Sequence, residues 1–135
     1  MHGLHLSAEL HGCPSGTAEL PLLTDPTTLQ ALCEQAAATA GLTVVGRLFH
    51  RFTPAPGQTQ TGLTGMLLLA ESHLAVHTWP ELGVVTLDLY VCNRERDCSA
   101  AAQVAMDTLQ AAFQPARVER RSWARSAVAT STPAV

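Results

Sequence analysis

Three apolar segments rich in strand-forming residues follow one another in the middle of the chain, and they constrain the fold more than any other feature. They are Thr64–Ala70, His73–Trp79 and Val84–Cys92, separated by two and by four residues. Gaps this short allow tight turns but no helical crossover, because parallel neighbours need a connection of about a dozen residues. The three segments therefore predict an antiparallel meander.

Patterns on the amino-terminal side of the meander predict two more strands and a helix. Leu4–Leu10 alternates apolar and polar residues, and Leu42–Phe52 is rich in β-branched and aromatic residues, so each is typical of a strand. Between them, Asp25 and Pro26 precede an apolar stripe that stops at Gly41. An N-cap, a first-turn proline and a glycine after the last turn predict a helix.

The carboxy-terminal side predicts a second helix and a last strand. Ser99 begins the helix, and Val104 and Leu109 belong to its predicted inner face. Arg117–Ser122 reads as a short strand, and the small residues of 124–135 predict a mobile tail. The order strand, helix, meander, helix, strand predicts an α+β two-layer sandwich, an antiparallel β-sheet with helices packed on one face.

Composition restricts the partners and the chemistry of the single domain that we predict over residues 1–135. The formal net charge is −3, which provides no basic field for nucleic acid or an anionic membrane. Lysine is absent, since all eight residues counted as Lys or Arg are arginines. A chain without lysine cannot hold pyridoxal phosphate as an internal Schiff base, so amine chemistry would need a carbonyl from elsewhere.

The amino terminus and the cysteines predict a cytoplasmic protein. Residues 1–4 lack the charged start and apolar run of a signal peptide, and the longest apolar run, Met66–Ala70, is too short to span a bilayer. The four cysteines form no Cys-x-x-Cys pair, and we expect them to be reduced thiols.

The densest group of reactive side chains lies in residues 71–80, Glu-Ser-His-Leu-Ala-Val-His-Thr-Trp-Pro. In a strand, His73, His77 and Trp79 share one face, opposite an apolar face. A zinc site on the two histidines is disfavoured because four residues of strand span about 13 Å, and no Gly-x-Ser-x-Gly marks a serine hydrolase. Taken one at a time, these side chains are most simply surface histidines and a core tryptophan. A histidine/cysteine metal-binding module and a non-catalytic interaction domain stay alternatives.

Residues 71–81, followed by an apolar strand that ends in Cys92, resemble the short prokaryotic form of S-adenosylmethionine decarboxylase, a pyruvoyl-dependent enzyme. Residues 6–13 resemble the opening strand of that family and its Gly-Cys turn, and residues 63–65 resemble the segment before its cleavage strand. The resemblance covers residues 4–123, and the order of helices and strands is similar.

The resemblance implies a proenzyme that cleaves itself between Glu71 and Ser72. The Ser72 hydroxyl attacks the carbonyl of Glu71 and converts the peptide bond into an ester. His77 then removes the Cα proton of residue 72, because an imidazole ordinarily titrates near neutrality. Elimination and hydrolysis leave a pyruvoyl group at the start of residues 72–135, the α chain, with residues 1–71 as its β-chain partner.

The resemblance also implies the reaction of the mature enzyme. The pyruvoyl carbonyl forms a Schiff base with the amine of S-adenosylmethionine and draws electrons as CO2 leaves. Cys92 then donates a proton to the product, which serves as the aminopropyl donor for spermidine. The family pairs through its sheets, so we expect a homodimer of cleaved protomers.

Three residues are candidates for binding the substrate. Phe52 and Trp79 could stack on the adenine and attract the sulfonium, although Trp79 is equally well explained as a core residue. Glu9, on the polar face of the first strand, could meet a cation, but a solvated carboxylate is the ordinary case.

Two departures from the family pattern concern the same region. Thr64 stands where the family commonly has a serine that assists processing, so the hydroxyl is kept. The loop of residues 53–62 is several residues longer than usual. Because this loop would border the substrate, a pyruvoyl-dependent decarboxylase of ornithine or arginine is the alternative function.

Overall fold

The computed structural model describes residues 2–18, 21–94 and 96–126, and it shows one antiparallel sheet with two helices packed on one side. The elements in chain order are β1 (His2–His11), α1 (Pro26–Thr39), β2 (Val44–Arg51), β3 (Leu63–Leu69), β4 (Ser72–Trp79), β5 (Val84–Cys92), α2 (Ser99–Phe113) and β6 (Arg117–Ser126). The predicted α+β two-layer sandwich is confirmed. In these ranges no helix is long and apolar enough to cross a membrane.

The six strands lie in the order β2-β3-β4-β5-β1-β6, and neighbouring strands are antiparallel. The predicted meander is the run β3-β4-β5, and β1 inserts between β5 and β6. Only two residues connect β3 to β4, so Ser72 pairs with Leu69 across the turn. The segment of residues 71–80 therefore runs through the middle of the sheet.

The core lies between the sheet and the helices. Alternate strand residues point into it, as a period of two requires. The core residues of the central strands are Leu6, Ala8, Leu10, Leu63, Leu67, Leu69, Leu74, Val76, Val85, Leu87, Leu89 and Val91. Cys33 of α1 is among the helix residues packed against them, and burial raises the pKa of its thiol to about 12, so this cysteine has a structural role.

The first helix begins and ends as the sequence predicts. The Asp25 carboxylate caps it by accepting the Thr28 backbone N–H at 2.9 Å and the Thr28 hydroxyl at 2.7 Å. These bonds hold the pKa of Asp25 below its usual range. After the last turn the chain reverses at Gly41, whose φ of 78° is favourable only for glycine.

Two details of the carboxy-terminal prediction are wrong. Val104 is exposed and Met106 is buried in its place, because α2 is rich in alanine and more than one register gives an apolar stripe. β6 runs to Ser126 rather than stopping at residue 122, since it pairs with β1 over its whole length. The start of the predicted tail is therefore strand, and residues 127–135 lie outside the described ranges.

The face of the sheet turned away from α1 and α2, which we call the open face, has no described element packed over it. Its histidines and Trp79 confirm the predicted polar and aromatic face of β4. The open face also carries exposed apolar side chains, namely Leu48, Met66, Leu68 and Trp123.

Thr78 is a buried polar residue that ties three segments together. Its hydroxyl donates to the Leu23 carbonyl at 2.8 Å and accepts the Leu63 N–H at 2.9 Å. Because Thr78→Val would leave both groups buried without a partner, we expect a loss of about 2 kcal/mol in the free energy of unfolding.

Urea denaturation in a Ser72→Ala background, which prevents the expected cleavage, measures this loss. Thr108→Val is the matched control, since that hydroxyl is exposed on α2, and it should change the free energy of unfolding by less than about 0.5 kcal/mol. Equal effects of the two substitutions would contradict the role given to Thr78.

Candidate active site

The peptide bond between Glu71 and Ser72 lies at a strained point of the backbone. Ala70 and Glu71 are the only residues between β3 and β4, and Glu71 adopts a φ of 57°. This left-handed conformation costs a residue with a Cβ atom roughly 1–2 kcal/mol. A two-residue turn needs such a φ, and here a glutamate adopts it rather than a glycine.

The register of β4 and β5 brings Ser72 next to Cys92. The pair His73 and Tyr90 aligns the two strands, so the first residue of β4 meets the end of β5. The Cys92 N–H donates to the Ser72 Oγ at 3.1 Å. Both residues line a cavity of about 300 Å³ together with Glu71, Arg96 and Cys98, which we call the serine cavity.

A second cavity, of about 220 Å³, lies at the other end of β4. It is lined by Phe52, Thr64, His77 and Trp79, among others, and we call it the histidine cavity. The His77 Nδ1 and the Thr64 Oγ1 lie 3.0 Å apart, at hydrogen-bond distance, and the rings of His77 and Trp79 are 6.1 Å apart. The threonine hydroxyl thus holds the orientation of the imidazole.

The long loop of residues 53–62 is closed at its base. The Phe52 N–H donates to the Gly62 carbonyl at 3.2 Å, and a Cβ on Gly62 would overlap the Thr78 carbonyl. Phe52 therefore keeps its place at the histidine cavity although the loop is long, and about half of its side chain is exposed.

Ser72 and His77 do not meet within one chain. Five residues of strand separate them by about 17 Å, and an odd separation puts their side chains on opposite faces. The predicted nucleophile and the predicted base consequently line different cavities. The assignment of His77 to the processing of Ser72 stays a prediction, and it requires more than one isolated chain.

Glu9 lies in neither cavity. It pairs in register with Glu119 of β6, and one of its oxygens is 3.9 Å from the His11 Nε2. A hydrogen bond with Glu9, and another with Arg117, holds the pKa of Glu119 below its usual range. The expected contact between Glu9 and the substrate therefore has no support in a single chain.

Two arginines near the peptide bond between Glu71 and Ser72 were not predicted. Arg94 Nη1 lies 3.4 Å from Glu71 Oε1, and Arg96 lines the serine cavity. The sequence could have indicated them by their position, because they follow the predicted proton donor Cys92 by two and four residues.

Comparisons with known proteins agree with this geometry. A model of the family described as S-adenosylmethionine decarboxylase matches residues 4–126. The S-adenosylmethionine decarboxylase proenzyme of Aquifex aeolicus (strain VF5) is 35% identical over 126 residues, 93% of this chain and 82% of the relative. The proenzyme of Syntrophomonas wolfei is 37% identical over 91 residues, 67% of this chain and 64% of the relative, so that match spans less than two thirds of its length.

A solved structure is also similar. The crystal structure of the adenosylmethionine decarboxylase from Aquifex aeolicus superimposes with a TM-score of 0.78 at 30% sequence identity, over 98% of this chain and 97% of the other. The likeness therefore extends over the whole sheet and both helices.

The strain at Glu71 is measurable in a chain that cannot cleave itself. In a Ser72→Ala background, Glu71→Gly should raise the free energy of unfolding by about 1 kcal/mol, because glycine adopts positive φ without a steric cost. Urea denaturation checks this value.

The adjacent turn residue supplies the control. Ala70 does not have a positive φ, so Ala70→Gly should lower the free energy of unfolding by roughly 0.5–1 kcal/mol. If both glycines destabilise the chain equally, Glu71 is not strained.

Proposed function

Because this chain belongs to the S-adenosylmethionine decarboxylase family, we propose that it is a proenzyme that cleaves itself between Glu71 and Ser72 and then decarboxylates S-adenosylmethionine. The observation that carries the proposal is the left-handed backbone of Glu71 directly before a serine whose Oγ is held by the Cys92 N–H. Strain at the scissile bond and a fixed nucleophile are what an intramolecular acyl shift needs.

The first step breaks the bond from Glu71 carbon to Ser72 nitrogen and forms an ester to Ser72 Oγ. Rupture of this peptide bond releases the constraint that the turn places on Glu71. The Cys92 N–H keeps the hydroxyl oxygen in place without removing its nucleophilic lone pair, since a hydroxyl has two acceptor positions.

The residues around position 72 fit a pyruvoyl group. That group supplies a carbonyl that condenses with the substrate amine and withdraws electrons as CO2 leaves, a task for which this lysine-free chain offers no side chain. Cys92 lines the same cavity as Ser72 and is partly exposed. Its thiol can hold the proton that the product receives.

The substrate is S-adenosylmethionine rather than a free amino acid. The relatives named above are described as decarboxylases of S-adenosylmethionine, and nothing comparable supports ornithine or arginine. Phe52 and Trp79 border one cavity with their rings partly exposed, where they can stack on adenine and attract a sulfonium. The product is the aminopropyl donor for spermidine synthesis, and the free thiols fit the cytoplasm.

A complete site needs a second copy of this chain. If two open faces pack together about a two-fold axis that crosses β4 near Ala75, the two β4 strands run antiparallel. The Ser72 end of β4 in one protomer then lies over the His77 end of β4 in its partner. Ala75 is small and buried, so two sheets can approach closely at this point.

The open face has the character of such an interface. Leu48, Met66 and Leu68 form an exposed apolar cluster on β2 and β3, and pairing would bury it. The same pairing explains why His77 and Thr64 form a hydrogen bond far from the serine of their own chain. We therefore propose a homodimer of cleaved protomers.

The proposed activity is tested by intact mass and by CO2 release. The wild-type chain should separate into fragments 1–71 and 72–135 under denaturing conditions and should release CO2 from S-adenosylmethionine. Ser72→Ala should remain one chain without activity, because no hydroxyl can attack. A single uncleaved wild-type chain would refute the proposal, and CO2 release from ornithine or arginine alone would replace the substrate.

The shared site is tested by mixing two inactive variants. Ser72→Ala and His77→Ala homodimers should both stay uncleaved. In a mixed dimer, the His77→Ala chain keeps its serine and faces the intact His77 of its partner, so this chain should be cleaved while the Ser72→Ala chain stays whole.

Tags of different mass identify which chain is cut. If the His77→Ala chain stays whole in purified mixed dimers, the base does not come from the partner. Analytical ultracentrifugation supplies an independent check, because a monomer at micromolar concentration would exclude the dimer.

A further inference from the structure

Two arginines follow Cys92 and lie at the scissile bond. Arg94 Nη1 is 3.4 Å from the side-chain carboxylate of Glu71, and Arg96 lines the serine cavity together with Glu71 and Ser72. Arg96 is anchored there, since its Nη2 donates to the Gly41 carbonyl at 2.6 Å. Arg94 therefore contacts Glu71 directly, and Arg96 borders the cavity that contains the bond between Glu71 and Ser72.

Arg96 has N–H donors left with which it can bind an anion. A guanidinium has five N–H donors in a planar fork, and one of them is used by Gly41. Within residues 2–18, 21–94 and 96–126 no carboxylate lies within ion-pair distance of Arg96. Arg94, in contrast, already has the Glu71 side chain as its partner.

Cleavage adds a negative charge at this place. In the elimination, a base takes the Cα proton of residue 72, the bond from Cβ to Oγ breaks, and both electrons of that bond leave with Oγ as the main-chain carboxylate of Glu71. The remaining dehydroalanine takes up water and releases ammonia to give the pyruvoyl group. Glu71 then carries two carboxylates where it had one.

We propose that Arg96 receives the main-chain carboxylate that self-cleavage creates on Glu71, while Arg94 holds the side-chain carboxylate of the same residue. The proposal rests on the proposed self-cleavage. A cation placed where the charge develops stabilises the leaving carboxylate during the elimination and binds it afterwards. The preceding acyl shift passes only transiently through an oxyanion on the Glu71 carbonyl and ends in an uncharged ester, so its equilibrium should depend little on Arg96.

This difference predicts which intermediate accumulates. In Arg96→Gln, the ester between Glu71 and Ser72 should form but should be eliminated about tenfold more slowly. Hydroxylamine cleaves esters, so it should release a 72–135 fragment that begins with an intact serine, which intact mass distinguishes from a pyruvoyl group. Arg96→Lys keeps the positive charge and should restore most of the elimination rate.

The experiment follows cleavage of freshly synthesised full-length chains over time, with and without hydroxylamine. Arg47→Gln is the matched control, since Arg47 pairs with Glu34 on the helix side of the sheet and should process at the wild-type rate. The proposal is overturned if Arg96→Gln forms pyruvoyl at the wild-type rate, or if it accumulates no hydroxylamine-sensitive ester while cleavage is slow. A wild-type chain that is never cut would instead refute the proposed function.

Discussion

The turn between β3 and β4 is the constraint on which the rest of the site depends. Two residues must reverse the chain in the middle of a six-stranded sheet, and one of them, Glu71, takes a left-handed φ to do so. Adjacent antiparallel strands on both sides of the turn hold it in place, so the strain cannot spread along the chain. The pairing of the whole sheet consequently maintains both the strained peptide bond and the fixed hydroxyl beside it.

Because side chains alternate between the two faces of a strand, the residues of β4 are divided between the two faces of the sheet. This alternation buries Leu74, Val76 and Thr78 beneath the helices and turns His73 and His77 to the open face. The same alternation and the length of β4 separate Ser72 from His77. In the proposed dimer, stacking of two copies would bring the Ser72 end of one chain to the His77 end of the other, which would link the proposed self-processing to assembly.

Much of the fold could be predicted because local patterns decide it. Val84–Cys92 is observed with the predicted bounds, and Asp25 caps α1 as its side-chain chemistry indicates. The length of β6 could not be predicted, since it is decided by pairing with β1, more than a hundred residues away in sequence. Which side of α2 is exposed could not be predicted either, because the alanines of this helix fit either face.

The candidate site was predicted as a set of residues but not as an arrangement. The rise per residue that argues against a zinc ion on His73 and His77 applies equally to Ser72 and His77, so their separation was present in the sequence. Arg94 and Arg96 could not be placed by periodicity, because they lie in an irregular segment after β5. Their place beside Glu71 is decided by tertiary structure, in which Arg94 pairs with Glu71 and Arg96 lines the serine cavity.

The insertion of β1 between β5 and β6 has a kinetic consequence for a cut chain. Strands β1, β2 and β3 belong to residues 1–71 and strands β4, β5 and β6 to residues 72–135, so the two pieces alternate across the sheet order. Neither piece can leave without breaking hydrogen-bonded ladders on both sides of β1. Once separated, the pieces must find each other again, so refolding changes from a first-order to a second-order reaction. The mature protein would then keep its structure by slow unfolding, while the uncut chain alone retains the ability to refold at any dilution.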